Sequence, residues 1–157
     1  MYFCKVPISL FNSQKTPETI YSILQFHFNK TLNCTDEIIY KERFTDLTPE
    51  KTFYIPSPVF TEEKFGTIKA IDLIIYAHLC RDAYLTNTGK VKVNISTISQ
   101  ETLLKKTIVR SSINLLLQKD LIIKDSHDGY YIIEDLFYYF TDKDFKNFIN
   151  IFKTIKA

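Results

Sequence analysis

From Pro17 to about Thr31, the apolar residues Ile20, Ile23, Leu24 and either His27 or Phe28 fall on one stripe at helical spacing. Thr16 followed by Pro17 marks the start of that helix, because the hydroxyl can cap it and proline suits its first turn. From Thr67 to about Tyr84, Ile68, Ile71, Ile74, Ile75, His78 and Leu79 form one broad helical face. Lys90 to Ile95, KVKVNI, alternates with period two and predicts a short strand. Ser96 is placed to cap a helix from Thr97 to about Thr102, with Leu103 and Leu104 filling the turn beneath it. A further helix from about Lys106 to Lys119 has Val109, Ile113, Leu116 and Leu117 spaced to dock on a core. Leu121 to Lys124 and Tyr130 to Glu134 then read as two strands, joined through the hairpin signal Asp128-Gly129. Thr141 or Asp142 can cap a last helix whose stripe is Phe145, Phe148, Ile149, Phe152 and Ile155.

The remaining stretches are less regular. Met1 to Leu10 reads as an extended arm, since Pro7 bars a helix there. Asp36 to Phe44 is open between a short helix and a strand, and Thr52 to Ile55 is extended and runs into Pro56 and Pro58. Val6 to Lys15 weakly echoes Ile55 to Lys64, and chance explains the echo better than two related half-domains. The pattern divides the chain into an N-terminal arm and helical extension (1–50), a central unit (51–135) and a C-terminal amphipathic helix (136–157).

Charge changes the picture more than composition does. The whole chain is +2, but Lys90 to Lys124 holds seven basic residues (Lys90, Lys92, Lys105, Lys106, Arg110, Lys119, Lys124) and only two acids, Glu101 and Asp120. That window is +5 and the rest of the chain is −3. Positive charge gathered on one segment is what a polyanion-binding surface requires. Cys4, Cys34 and Cys80 lack metal-ligand spacing and follow no leader pattern, so reduced cytoplasmic thiols are expected. No apolar run approaches the roughly 18–20 residues that span a bilayer, and no membrane partner is expected. There is no P-loop, GxSxG, HExxH or CxxC. Catalysis, a cofactor and a metal are therefore not expected.

The order helix, strand, helix, turn, helix, strand, wing, strand between Thr67 and Glu134 resembles the winged helix-turn-helix family of DNA-binding proteins. Ile98-Ser99, Leu104, Ile108-Val109, Ile113, Leu116 and Asp120-Leu121-Ile122 stand at the places of that family's characteristic pattern. Lys105 stands where a capping Ser is usual, and Asp120 stands where Gly normally ends the helix, so Asp120 is expected in a left-handed conformation. A narrower resemblance covers Phe53 to Asp82, which is similar to the N-terminal domain of plasmid replication initiators of low-GC Gram-positive bacteria. Tyr54, Pro56, Phe60, Tyr76, Leu79 and Arg81-Asp82 carry it. Those initiators are longer and have a second domain, so an accessory replication, conjugation or regulatory protein on the same module suits this length. The fold the resemblance implies is mostly helical α+β, a winged helix with an N-terminal helical extension and a C-terminal helix.

In that fold the helix from about 106 to 119 enters the major groove of double-stranded DNA. With Val109, Ile113 and Leu116 inward, Lys105, Lys106, Thr107, Arg110, Ser111 and Asn114 face outward. Arg110 can reach guanine and Asn114 adenine with two bonds each, while Lys105, Lys106 and Thr107 suit phosphate. Ser96 and Thr97 could present backbone N–H groups to a phosphate, and Lys124 flanks the wing. Asp125, His127 and Asp128 make that wing a poor phosphate clamp. They motivate the alternative of a protein–protein interaction module on the same fold without DNA binding. A homodimer through the N-terminal arm or the C-terminal helix is the expected assembly.

Overall fold

The computed structural model describes residues 3–12, 14–32, 52–56, 68–86, 90–124 and 131–133. Over these residues the protein is a mostly helical α+β structure. Strand β1 (Phe3–Pro7) pairs antiparallel with β2 (Thr52–Pro56), from Phe3 opposite Pro56 to Pro7 opposite Thr52. Val6 lies directly across from Phe53, and both are fully buried with Ile55, so one face of this ribbon belongs to the core. After Pro7 a short 3-10 turn (Ile8–Phe11) buries Ile8, Leu10 and Phe11. The arm is therefore extended only over Phe3–Pro7, because Ile8 to Leu10 turn into the 3-10 helix after the proline, and Val6, Ile8 and Leu10 are buried within the chain.

Helix α1 (Pro17–Leu32) starts at the expected place, with the Thr16 hydroxyl accepting the Thr19 N–H at 3.3 Å. Ile20, Leu24 and Phe28, one turn apart, are its buried stripe, while His27 is only half-buried. The stripe packs on β1 and on helix α2 (Ala70–Thr86).

Helix α2 departs from the single broad face that its periodicity predicts. Every residue from Asp72 to Arg81 is buried, and Ala83 as well, whereas Ile71 is exposed and Ile68 half-buried. A helix apolar around its whole circumference has to be enclosed. Here α1 and β2 cover part of it, and helices α3 (Ile95–Thr102) and α4 (Lys106–Gln118) cover another part. Ala77, Cys80 and Ala83 are small enough to let the neighbours approach closely.

The next strand, β3, is only Lys90–Val91, shorter than the expected Lys90 to Ile95. The reason is Asn94, whose side chain accepts the Thr97 N–H at 3.1 Å and starts α3 at Ile95. Asn94, not Ser96, is the cap. At the other end of α3, Leu103 adopts φ 58° and is largely exposed, so Leu104 alone fills the turn. The Ser99 hydroxyl closes that turn by donating to the Leu104 carbonyl at 2.6 Å.

Helix α4 buries Val109, Ser112, Ile113 and Leu116, with Leu117 partly covered. It ends in a Schellman arrangement: the Leu121 N–H bonds the Leu116 carbonyl at 3.0 Å and the Asp120 N–H bonds the Leu117 carbonyl at 3.2 Å. Asp120 takes the left-handed conformation expected of it, φ 57°. Strand β4 (Ile122–Lys124) then pairs with β5 (Tyr131–Ile133), Ile123 opposite Ile132, and β5 also pairs with β3. The three-stranded antiparallel sheet has the order β3-β5-β4.

One buried apolar cluster joins Val6, Phe11, Ile20 and Leu24 to Ile98, Val109 and Leu116. The segment expected as an N-terminal extension thus shares its core with the central unit. Asp36 to Phe44, the Asp128-Gly129 turn, the wing residues Asp125 and His127, and the C-terminal stripe from Phe145 to Ile155 lie outside the described residues.

A side chain in the left-handed region costs roughly 1–2 kcal/mol that glycine avoids, partly offset by glycine's larger unfolded-state entropy. Asp120→Gly is therefore expected to raise stability by roughly 0.5–1 kcal/mol in urea unfolding, and Asp120→Val to lower it by at least about 1 kcal/mol. A stable valine variant would mean that the turn after α4 does not need its left-handed residue.

Candidate functional site

The outward side of α4 is continuous with its docking side, and the same 3.6-residue period sets both. Lys105, Lys106, Thr107, Arg110, Ser111 and Asn114 are all exposed. Thr107, Arg110, Ser111 and Asn114 are three or four residues apart, so they form one stripe. No carboxylate among the described residues pairs with Lys105, Lys106 or Arg110. Lys105 occupies the N-cap position without a side-chain cap bond, so the first N–H groups of α4 have no capping side chain beside two lysines. This end of the helix is electropositive both from its dipole and from its side chains.

The other expected site residues are placed differently. Ser96 and Thr97 are exposed in the first turn of α3, but the Thr97 N–H is already taken by Asn94. Thr97 cannot offer that N–H to a phosphate without losing the cap, which is a correction to the expected role. Lys124 is exposed on β4, on the sheet and off the α4 stripe. Among the described residues no group of His, Cys, Asp and Glu is placed to hold a metal ion, and no helix is long and apolar enough to cross a membrane.

Behind the stripe lies a polar network with no counterpart in the sequence reading. Arg81 of α2 donates from Nη1 to Glu101 Oε2 of α3 at 2.8 Å and from Nη2 to Glu101 Oε1 at 3.3 Å. Its Nε and Nη2 also reach Asp82 Oδ1, at 3.1 and 2.9 Å, and its guanidinium lies 5.2 Å from the centre of the Phe11 ring. His78 is fully buried beside it, edge-on to Phe11, with Nε2 at 3.2 Å from Arg81 Nη2. His78 Nε2 lies between Arg81 Nη2, which can only donate, and Glu101 Oε1 at 3.5 Å, which can only accept, so its role follows the tautomer, and the other ring nitrogen is Nδ1. That nitrogen has no hydrogen-bond partner, and Asp82 Oδ2 at 3.6 Å is too far to serve. A second buried contact joins α2 to α4, where the Ser112 hydroxyl donates to Asp72 Oδ1 at 2.7 Å.

Burial holds the His78 pKa below its ordinary 6.5, an effect that Arg81 reinforces and that Asp82 and Glu101 oppose without reversing. Burial pushes Glu101 upward, but the bond and charge of Arg81, helped by His78, leave it below the usual 4.5. Of the residues carrying the initiator resemblance, Tyr76 and Leu79 are core, Arg81 and Asp82 belong to this network, and Phe60 lies outside the described residues. Compared with protein-family models, curated proteins and solved structures, the chain gives no match.

Both shifts work in one direction with acid. A histidine depressed in the folded state contributes stability that is complete above pH 6.5 and falls as pH drops from there through its lowered pKa, because the unfolded chain binds the proton first. Glu101 adds a second loss further down, below the usual carboxylate value of 4.5. Urea unfolding across this pH range is expected to show a stability decline beginning near 6.5 that flattens in His78→Gln. An undiminished decline in that variant would remove His78 from the account.

Proposed function

We propose that this protein binds double-stranded DNA as a winged helix-turn-helix, with α4 in the major groove. The observation that carries the reading is the outward side of α4, where Lys105, Lys106 and Arg110 are exposed and no acid stands among the outward residues, on a helix anchored by its opposite side. The element order α2-β3-α3-α4-β4-β5 and the strand order β3-β5-β4 support it, since they form the helix pair and three-stranded sheet that such a fold uses. Lys105, Lys106 and Thr107 serve phosphates, where position matters more than identity. Arg110 and Asn114, one turn deeper along α4, read base edges. Ser111 lies between them, and Ser96 and the Lys124 ammonium are outlying phosphate contacts.

By the resemblance of Phe53 to Asp82, the binding serves replication, plasmid maintenance or transfer, or transcription control in a bacterial or plasmid system. The arm is committed to the chain's own core through Val6, Ile8 and Leu10. Self-association therefore rests on the C-terminal stripe.

Fluorescence anisotropy of a labelled random-sequence duplex across a salt series tests the reading. Wild-type binding is expected to weaken steeply with salt, and the triple variant Lys105→Ala, Lys106→Ala, Arg110→Ala to lose about 2–3 units of the log–log salt slope. No binding at low salt would sink the proposal and turn attention to a protein partner.

A further inference from the structure

Helix α2 carries two charged side chains into the interior, and each grips a different helix of the α3–α4 pair. Asp72 takes the Ser112 hydroxyl of α4 at 2.7 Å, on the buried side of α4 and opposite to Arg110 and Asn114. Arg81 takes both carboxylate oxygens of Glu101 in the last turn of α3. The two positions lie roughly 13 Å apart along α2 and about half a turn around it. Asp72, Ser112 and Arg81 are all buried, and only Glu101, at the far end of the second latch, is partly exposed.

We propose that Asp72 and Arg81 are positioning residues, which fix the rotation and tilt of the α3–α4 pair so that Arg110 and Asn114 meet base edges in register. The inference rests on the DNA-binding reading above. Apolar burial is non-directional: Val109, Ile113 and Leu116 hold α4 against the core but permit it to roll or slide. A short hydrogen bond to a buried carboxylate does not permit that, and a two-bonded guanidinium fixes a plane as well as a distance. One latch would leave a pivot. Two latches on different sides of one helix remove it.

Phosphate contacts and base contacts respond differently to loss of register. Lysine ammoniums on long stems find phosphates from many poses, whereas paired bonds to a base edge need one pose. The quantity to measure is thus the affinity ratio between a duplex enriched by the wild-type protein from a randomised pool and a random-sequence duplex. Partial unfolding lowers both affinities by one factor and leaves the ratio alone.

The variants are Ser112→Ala, Glu101→Gln and Asp72→Asn, each checked for folding by circular dichroism. Ser112→Ala and Glu101→Gln are expected to lower the ratio about tenfold, with random-duplex affinity within about twofold of wild type. Asp72→Asn keeps an oxygen that can accept the Ser112 hydroxyl, and is expected to retain the ratio within about twofold. Should Ser112→Ala fail to fold, Glu101→Gln at the partly solvated end of the other latch decides alone. An unchanged ratio in every folded variant overturns the positioning role, as does a wild-type protein that enriches no sequence. A wild-type protein that binds no duplex at all overturns the DNA-binding reading itself.

Discussion

The structure depends on enclosing α2. Seventeen residues long, with Leu73 to Ala77, Leu79, Cys80 and Ala83 inside, it has almost no side that water can wet at low cost. The ribbon of β1 and β2, α1, α3 and α4 are arranged as they are because each covers part of that circumference. Enclosure then creates a second demand. Asp72, His78 and Arg81 go inside with the apolar residues, and buried polar groups must find partners or destabilise the fold. Ser112, Glu101 and Asp82 supply them, with Phe11 flanking the guanidinium. His78 Nδ1 is left without a hydrogen bond, and burial holds the ring's pKa below its ordinary value, so acid works against the buried neutral imidazole.

Because its partners come from α3 and α4, α2 settles where the exposed stripe of α4 points. The helix is bracketed by two left-handed residues, Leu103 before it and Asp120 after it, neither of them glycine. A leucine with φ 58° is held there only if its surroundings outweigh the steric cost, and the Ser99 bond across the same turn is one such restraint. The turn between α3 and α4 is therefore defined by structure on both sides of it. The outward residues of α4 make none of these contacts, whereas its inward residues and both its ends are tied to neighbouring structure.

The parts legible in the sequence were those governed by a single local period. The α1 stripe, the Thr16 cap and the docking face of α4 all follow from residues within a turn or two of one another, whereas the left-handed Asp120 is what the resemblance implies, since that pattern has glycine there. The single face expected of α2 is too narrow because Leu73, Tyr76, Ala77, Cys80 and Ala83 on its remaining sides are buried as well, and a helix apolar all round shows no single stripe. The cap of α3 is Asn94 rather than the expected Ser96, and Asn94 stands three residues before the N–H it caps. That signal was local and could have been found. The pairing of Asp72 with Ser112 could not, since forty positions separate them and only the packing of α2 on α4 brings them together.

The charge arrangement of α4 is itself an argument about function. Lys105, Lys106 and Arg110 stand close together on one exposed surface without a carboxylate partner among the described residues. Their mutual repulsion, together with the positive end of the α4 dipole, works against the folded state at low salt. Elsewhere in the same chain a cation is treated in the opposite way, for Arg81 pairs with two carboxylates, Asp82 and Glu101. Glu101 sits only four residues before Lys105, yet its side chain turns inward to Arg81 and leaves the α4 cations to solvent. An arrangement that spends its nearby acid on the interior and keeps the surface cations unpartnered is complementary to an external polyanion. On the proposal above, duplex DNA is that polyanion, with phosphates for the lysines and base edges for the residues one turn further along α4.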